Sequence, residues 1–311
     1  MKKINSKSEI LNSVDLFCGG GVGSLGQHNA GIKGVLAIDN WKVAQEVFEQ
    51  NFKDEKQVEF LNTDIFALTA EEILERTGLK AGELFLMTAT APCQGFSIAG
   101  KKNPFDIRNA LFLHSQELIA KVKPKFFLME NVPGMTMPPM TPIFNEVKYR
   151  FQTVLKDYNV DCKKLNALFF GANQARERVI YIGVRKDINI KPPYPEPDIA
   201  GALKRKISYV LPDIDGIYAG QSKKLVKLPD SYLMTVTAGE CFQIMDKGTL
   251  RSATTEELRT IAGLPDWFSF EGISAHDIHK IIGNAVPVQF MESLTRAIKD
   301  AYLNGTQSHA A

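Results

Sequence analysis

The sequence predicts an α/β protein, in which a doubly wound, Rossmann-like sheet is joined to a second, smaller domain. Short apolar runs that resemble buried strands alternate with segments whose apolar residues recur at helical spacing, from Val14 to about residue 190. The segment from Lys191 to Pro197 interrupts this alternation, because four prolines in six residues fit neither a helix nor a central strand. We therefore predict one domain from 1–190 plus 273–311, and a small domain from 191–272.

Composition limits the class of protein. The chain has 311 residues, of which 44% are hydrophobic and 23% charged, as is ordinary for a globular protein. No apolar run is long enough to span a bilayer, and the first residues lack the apolar segment of a secretory signal, so we expect a cytoplasmic protein without a membrane partner. The four cysteines form no C-x-x-C pair, and His276 and His279 lack further ligand candidates, so no metal is expected.

Charge gives a weaker indication of a partner. The net charge of +2 is too small to predict nucleic-acid binding by itself. However, one interval of the predicted small domain is basic, since its acidic residues are only Asp213 and Asp215. Its basic residues are Lys204, Arg205, Lys206, Lys223, Lys224 and Lys227.

The first predicted strand, Val14 to Cys18, leads into a glycine-rich turn that begins at Gly19. Glycines at a strand-to-helix turn let the backbone approach a ligand and expose amide donors at a helix N-terminus. The next predicted strand ends in Asp39, at a spacing that suits a carboxylate bound to ribose hydroxyls. Nicotinamide, flavin and S-adenosylmethionine proteins share this pattern. Asp64, after a third strand, could accept a hydrogen bond from adenine or simply cap the next turn.

The apolar run from Leu84 to Met87 precedes Ala91-Pro92-Cys93-Gln94-Gly95-Phe96-Ser97. An apolar run followed by Pro and Gly resembles a buried parallel strand that opens into a loop. Cys93 would then lie near the carboxyl end of the sheet, where such folds bind their ligands. An isolated cysteine is also compatible with a buried structural thiol.

Two further strands carry polar residues. The strand from Lys125 to Met129 ends in Glu130, which is either a capping group or a catalytic acid. Arg176 and Arg178 occupy alternate positions at the start of a strand through Val184, so they point to the same side. An exposed edge with Glu177 between the arginines explains this pattern as well as an anion or base contact does.

Elements are also predicted beyond the prolines. Tyr232 to Thr237 is a plausible strand, and Thr254-Thr255-Glu256-Glu257 is a capping box that opens a helix ending at Gly263. The segment from Gly283 to Pro287 then precedes a terminal helix, with Pro287 suited to its first turn.

Taken together, these segments resemble the cytosine-C5 DNA methyltransferase family over nearly the whole chain. Each motif alone could arise by chance, whereas their succession in the family's order is specific. The motifs are the glycine-rich turn at Gly19, the acidic residue Asp39, Pro92-Cys93-Gln94, Glu130-Asn131-Val132, Gln174-x-Arg176-x-Arg178 and Gly283-Asn284-x-Val286-Pro287.

The resemblance implies an S-adenosylmethionine-dependent DNA (cytosine-5-)-methyltransferase with a Rossmann-like catalytic domain and a small target-recognition domain. It makes Cys93 the nucleophile that adds to C6 of a flipped-out cytosine in double-stranded DNA, and Glu130 the acid near N3. It also implies that Arg178 contacts the base near O2 while Arg176 supports the site.

The family assignments also extend to the ligands. The residues implied in S-adenosylmethionine binding are Phe17, Gly19, Gly21, Asp39, Asp64, Pro92, Leu111, Asn284 and Val286. Those implied in contacts to DNA are Gln94, Ser97 and Lys101.

The sequence departs from the family pattern in three ways. The family usually has a further glycine where Val22 stands, and usually Glu where Asp39 stands. The third departure is size, since Pro212 to Leu233 is nearly all that remains for variable base reading. Lysines there can bind phosphates but carry no sequence information. We therefore expect a short or relaxed target site, or help from a specificity-assisting protein; a cognate restriction enzyme is a further expected partner.

Three other classes of protein share part of this pattern. A transfer-RNA cytosine methyltransferase of the same superfamily shares the catalytic set, but its typical Cys-Phe-Thr segment is not evident. A scaffold protein with an inactive site is disfavoured because Cys93, Glu130, Arg176 and Arg178 are all present. A nicotinamide oxidoreductase leaves Pro-Cys-Gln and Glu-Asn-Val unexplained.

Overall fold

The computed structural model describes residues 10–53, 58–92, 109–138, 140–219, 224–227, 231–239 and 241–308. The strands of the first half of the chain are β1 (Asn12–Leu16), β2 (Lys33–Asp39), β3 (Glu59–Asn62), β4 (Leu86–Ala89), β5 (Phe126–Asn131), β6 (Tyr158–Asn166), β7 (Gln174–Ala175) and β8 (Glu177–Arg185). The helices of this half are α1 (Val22–Asn29), α2 (Lys42–Phe52), α3 (Ala70–Thr77), α4 (Asn109–Val122) and α5 (Thr141–Thr153).

Seven of these strands form the central sheet, in the order β3-β2-β1-β4-β5-β8-β6. β1 to β5 are parallel, and β8 runs antiparallel to both β5 and β6. The chain builds outward from β1 to β3 and then returns to place β4 on the other side of β1. This confirms the predicted doubly wound fold. Its switch point, between β1 and β4, is the position where such sheets bind ligands at their carboxyl ends.

Helices cover both faces of this sheet. Successive side chains of a strand point to opposite faces, and those of β5 pack against different helices. Phe127 and Met129 of β5 pack into a buried cluster with α3, α4 and α5. Phe126 and Leu128 of the same strand pack into a different cluster with the C-terminal helix. The apolar runs of the sequence are therefore strands buried on both sides, as parallel sheets require.

The second half of the chain contains α6 (Ile199–Ala202), α7 (Ile207–Val210), β9 (Gly216–Ala219), β10 (Lys224–Lys227), β11 (Leu233–Met234), β12 (Gln243–Asp246), β13 (Thr249–Ser252), α8 (Thr255–Ala262), α9 (Ala275–Asn284) and α10 (Val288–Ser308). β10, β9, β12 and β13 form an antiparallel sheet, and β11 pairs in parallel with β7. Residues 189–198, which include the prolines, form neither helix nor strand.

A third buried cluster joins the small sheet to the rest of the protein. It contains Phe48 of α2, Ile217 of β9, Ile244 of β12, Leu258 of α8 and Ile281 of α9. The small sheet thus packs its apolar side chains together with those of α2 and α9. The boundaries at 190 and 273 stay a prediction.

Several predicted elements differ from the structure in extent. The predicted strand from Tyr232 to Thr237 is shorter, since only Leu233–Met234 pairs as β11. Between the prolines and Tyr232 the structure contains four elements for which no sequence prediction was made: α6, α7, β9 and β10. The capping-box helix is confirmed as α8, which ends at Gly263 with a left-handed φ of 70°. Within the described residues, no helix is both long and apolar enough to cross a membrane.

Candidate active site

A pocket that opens to solvent lies at the carboxyl edge of the sheet near its switch point. Five residues that the sequence predicted for the cofactor line it: Phe17, Asp39, Asp64, Pro92 and Leu111. Four lining residues were missed by sequence reasoning: Ile38, Asn40, Thr63 and Ile65. Their sequence signal was available, because each is within three residues of the end of β2 or β3.

The turn after β1 has an unusual backbone. Phe17 has a left-handed φ of 62°, and Gly19 follows with φ 55°. A side chain on Gly19 would meet no atom within 4 Å, so this glycine faces open space. Gly21 is different: its φ is 86°, and a Cβ there would lie 2.4 Å from the ring of Phe52. Gly21 therefore shapes the turn by packing against α2.

The Asp39 carboxylate holds this turn in place. Its Oδ2 accepts a hydrogen bond from the Gly19 amide and its Oδ1 one from the Trp41 amide, both at 2.9 Å. Burial raises the pKa of Asp39 above its ordinary value, while the amide donors and the nearby Lys280 oppose the rise. Lys280 itself lies 4.0 Å from the centre of the Trp41 ring.

Asp64 caps a turn and also lies at the pocket. Its Oδ1 accepts a hydrogen bond of 3.0 Å from the Phe66 amide, so the side chain closes the turn after β3. The same residue lines the pocket. Capping the turn and facing a ligand are therefore compatible at this position.

Glu130 and Arg178 form a buried ion pair. Glu130 Oε1 lies 2.5 Å from Arg178 Nε, and the two residues are only 7% and 8% exposed. The pair forms because β5 and β8 are antiparallel neighbours, with Glu130 opposite Ile180. Met129 is opposite Ala89 of β4, which places Glu130 beside the strand that leads to Pro92 and Cys93. The alternative of an exposed arginine edge is wrong for both arginines, since Arg176 is 2% exposed.

Arg176 contacts other parts of the chain. Its Nη1 donates to the Val236 carbonyl and its Nη2 to the Gly283 carbonyl, both at 3.0 Å. Gly283 is confined by the same contact region, since a Cβ there would lie 2.5 Å from the Ala238 nitrogen. Arg176 thus joins the segment after β11 to the end of α9.

The other predicted site residues lie elsewhere. Asn284 is exposed at the end of α9. Val286 is buried in the cluster around α10, and it is not among the residues that line the pocket. Cys93, Gln94, Ser97 and Lys101 lie outside the described residues.

Of the two histidines His276 and His279, His279 is buried and takes part in a hydrogen bond that joins α9 to the segment before β12. His279 is 6% exposed, and its Nε2 accepts a hydrogen bond of 3.1 Å from the Phe242 amide. Burial lowers the pKa of His279 below its ordinary value, and the neighbouring His276 adds to this effect. In the part of the chain that the structure describes, no group of three or more His, Cys, Asp or Glu side chains could hold a metal ion.

The pocket has the features that a nucleoside cofactor with a positive charge needs. Asp39 offers a carboxylate at the end of β2, Phe17 an aromatic ring, and Ile38, Ile65 and Leu111 an apolar lining. Gly19 leaves the adjoining turn open to close approach. This carboxylate acceptor, the aromatic ring and the apolar lining fit S-adenosylmethionine, which joins an adenosine to a sulfonium.

Several known proteins are similar to this chain over nearly its whole length. A family model, C-5 cytosine-specific DNA methylase, matches residues 11–234 and 216–300. The Type II methyltransferase M.FnuDI of Fusobacterium nucleatum is 27% identical, over 93% of this chain and 94% of its own length. M.MthTI of Methanothermobacter thermautotrophicus is 29% identical, over 93% and 97%. In fold, the chain resembles a DNA modification methyltransferase encoded in an E. coli prophage, with a TM-score of 0.70, 24% identity and coverage of 94% and 99%.

The family match spans the sheet, the pocket and the Glu130–Arg178 pair, so it covers every part of the site that the structure describes. Methyl transfer to cytosine in this family implies S-adenosylmethionine as the donor. The chain belongs to the C-5 cytosine-specific DNA methylase family, and it is a DNA (cytosine-5-)-methyltransferase.

Proposed function

We propose that this enzyme methylates C5 of a cytosine flipped out of duplex DNA, through a transient covalent bond between Cys93 and C6 of the base. The observation that carries the proposal is the buried Glu130–Arg178 pair at the carboxyl end of β5. Burial of two charges is costly unless they are paired, so each side chain fixes the position of the other beside the end of β4. The pair lies one strand away from the Pro92 end of β4.

The reaction needs an activated ring, because C5 of cytosine is a poor nucleophile. Addition of the Cys93 thiolate to C6 forms a carbon–sulfur bond and moves electron density toward C5, N3 and O2. Glu130 stabilises the ring at N3, and Arg178 offers a cation near O2. S-adenosylmethionine, when bound, supplies the electrophilic methyl group. Loss of the C5 proton to a base, with cleavage of the carbon–sulfur bond, then returns Cys93 as a thiolate.

The proposed cofactor site uses the pocket and its turn. Asp39 would bind the ribose hydroxyls, Asp64 the adenine amino group and Phe17 the sulfonium. Pro92 and Leu111 would cover the adenosine, and Gly19 and Gly21 would shape the turn around the methionine. Asn284 and Val286, at the end of α9 and after it, complete the set carried over from the family.

Duplex DNA is the proposed substrate, and Gln94, Ser97 and Lys101 are its proposed contacts close to the flipped base. Flipping costs a few kcal/mol, which contacts to the phosphates and to the base must offset. The basic interval from Lys204 to Lys227 can supply phosphate contacts, which add affinity without sequence information.

A short recognition region is part of the proposal, and two features of the comparisons are compatible with it. The family model matches in two segments that meet at residues 216–234. The alignment with M.MthTI runs over 337 positions, more than the 311 residues of this chain, so that relative has segments that this chain lacks. We propose that the target is short or relaxed, or that a second protein assists its recognition.

The direct test is transfer of labelled methyl groups from S-adenosylmethionine to duplex DNA and, in parallel, to transfer RNA. We expect labelling of DNA and none with Cys93→Ala. Glu130→Gln should lower kcat by about 10²- to 10⁴-fold, the usual contribution of a general acid. Glu177→Gln is the matched control, since its side chain is 51% exposed and should leave kcat unchanged. Labelling of transfer RNA alone, or full activity of Cys93→Ala, would refute the proposal.

A further inference from the structure

Asp15 is the centre of a buried polar network that the proposed chemistry does not use. The residue lies on β1 and is 6% exposed. Its Oδ1 accepts a hydrogen bond from the Thr88 hydroxyl at 2.6 Å, and its Oδ2 accepts one from the Ser24 hydroxyl at 2.6 Å. Gln27 Nε2 donates to both Asp15 Oδ2 and Thr88 Oγ1, each at 3.1 Å.

Burying the Asp15 carboxylate lowers the free energy of unfolding, so stability alone does not explain this arrangement. A buried carboxylate loses its hydration, and here its partners are three neutral donors. Burial accordingly raises the pKa of Asp15 to about 6, against the lowering effect of its hydrogen bonds. An apolar side chain of similar size would avoid this cost, whereas a network of directed hydrogen bonds fixes the relative position of the elements that it joins.

The elements that the network joins are those on either side of the candidate cofactor turn. Asp15 is two residues before Phe17, while Ser24 and Gln27 belong to α1, which begins directly after Gly21. The Asp15 carboxylate therefore connects the strand that enters the turn to the helix that leaves it. The turn between them has left-handed backbone at Phe17, Gly19 and Gly21, so its shape depends on where these two ends are held.

Thr88 connects the same network to β4. Thr88 is opposite Asp15 in the parallel pairing of β1 with β4. Two residues further on, the Thr90 hydroxyl donates to the Phe17 carbonyl at 3.1 Å, and Pro92 then lines the pocket. The segment from β4 to Pro92 is thus attached to β1 through Thr88 and to the turn after β1 through Thr90.

We infer that Asp15, with Thr88, is a positioning residue that sets the geometry of the cofactor turn relative to β4. Neither side chain is among those that line the pocket, so both act through Phe17, Gly19 and Pro92. The inference rests on the proposed function, in which that turn binds S-adenosylmethionine.

A pair of substitutions at Thr88 separates positioning from packing. Thr88 is fully buried. Thr88→Val keeps the volume and removes the hydroxyl, whereas Thr88→Ser keeps the hydroxyl and removes a buried methyl group. If the hydrogen bond to Asp15 positions the turn, Thr88→Val should weaken cofactor binding and Thr88→Ser should not, whichever variant is less stable.

The measurement is the Kd of S-adenosylhomocysteine by titration calorimetry, with the free energy of unfolding of each variant determined in urea. We expect Asp15→Asn and Thr88→Val to raise Kd by about tenfold or more, the effect of a hydrogen bond to a charged group. Thr88→Ser should stay within about twofold of the wild type, a difference of less than 0.5 kcal/mol at about 1.4 kcal/mol per tenfold. Asp187→Asn is the matched control, because its carboxylate pairs with Arg185 away from the turn.

The outcomes are distinct. If the wild type fails to bind S-adenosylhomocysteine, the proposed function fails and the inference with it. If the wild type binds and Thr88→Val binds equally well, or if Kd follows the loss of stability across all variants, only the positioning role is refuted.

Discussion

Phe17 has a backbone conformation that bulky residues seldom adopt, with φ at 62°. Strain of this kind costs about 1 to 3 kcal/mol and persists only where neighbouring contacts enforce it. Here the Phe17 carbonyl accepts the Thr90 hydroxyl, and the Cys18 amide donates to the Ile38 carbonyl at 3.0 Å. The strain therefore lies at the turn that borders the pocket, where an altered backbone most directly affects a ligand.

At the same scale, two glycines of this turn should respond to alanine in different ways. Gly21→Ala places a Cβ 2.4 Å from the Phe52 ring, in a left-handed conformation, so we expect a loss of about 2 to 4 kcal/mol in the free energy of unfolding. Gly19→Ala meets no atom within 4 Å and should cost about 1 kcal/mol. Its methyl group would enter the space proposed for the cofactor, so the Kd of S-adenosylhomocysteine should rise.

Urea unfolding and calorimetric titration of both variants check this prediction. Gly78→Ala is a suitable control, because Gly78 is also left-handed and unobstructed but ends α3, away from the pocket. The explanation fails if Gly19→Ala binds S-adenosylhomocysteine as the wild type does, or if Gly19→Ala is the less stable of the two.

On the scale of elements, α9 holds the segment between β11 and β12. Near its middle, His279 accepts the Phe242 amide, and at its end Gly283 allows residues 237 and 238 to approach closely. The Gly283 carbonyl is also bound by Arg176. One helix thus fixes two points of the same segment, about one turn apart.

The hydrogen bond to His279 gives this contact a pH dependence. An acceptor Nε2 requires a neutral ring, and burial lowers the pKa of His279. Its ordinary value, about 6.5, applies to the unfolded chain. As pH falls below about 6.5, the unfolded chain gains a proton that the folded protein resists, so stability decreases until the folded pKa is reached. The slope is at most about 1.4 kcal/mol per pH unit.

We expect the free energy of unfolding of the wild type to fall more between pH 7.5 and 5.5 than that of His279→Gln. The glutamine can accept the same amide without titrating. Asp15 and Asp39 have raised pKa values and act in the opposite direction, but they are common to both proteins and cancel in the difference. His276→Gln, an exposed change on the same helix, removes the charge that helps to lower the pKa of His279, so its slope should lie between those of the wild type and His279→Gln. Equal slopes for the wild type and His279→Gln would contradict this account.

Local signals explain which elements the sequence could predict. α8 was predictable at both ends, because Thr254 and Glu257 form the capping box and Gly263 ends the helix. The β12–β13 hairpin was not predicted, although Lys247 and Gly248 both have the positive φ of a tight two-residue turn. A glycine preceded by a lysine is a weaker signal for such a turn than Asn-Gly or Asp-Gly.

Contacts between distant parts of the chain explain what remained hidden in the site. The positions of Asp39 and Asp64 were predictable, because Asp39 ends β2 and Asp64 lies two residues after β3. The partners of Arg176 are 60 and 107 residues away in sequence, and no local pattern indicates them. The same holds for the contact between Trp41 and Lys280, because Lys280 belongs to α9, far from Trp41 in sequence.

At the scale of the whole molecule, the pocket turn and the small sheet share one core. Phe48 and Phe52 of α2, which confine Gly21, belong to the same buried cluster as Ile217 and Ile244 of the small sheet. Arg176 and His279 both contact the segment between β11 and β12, which leads into the small sheet. A substitution in the small sheet that disturbs this cluster can therefore shift α2 and so alter the conformation of the turn at Gly21.

The proposed recognition region leads to a prediction about the target sequence. Discrimination of each base pair requires side chains that reach base edges, and each such contact is worth about 1 to 3 kcal/mol. Between Pro212 and Leu233 the chain offers few residues for this purpose, and Lys223, Lys224 and Lys227 suit phosphates instead.

Sequencing of the cytosines that the purified chain methylates in mixed genomic DNA should reveal a short or degenerate target. Raising salt should lower the rate at all sites to a similar extent, because phosphate contacts dominate the affinity. DNA from cells that express the chain is the control for an assisting protein, since a longer consensus there than in the purified reaction would indicate one. A single long site read by the purified chain alone would overturn the prediction.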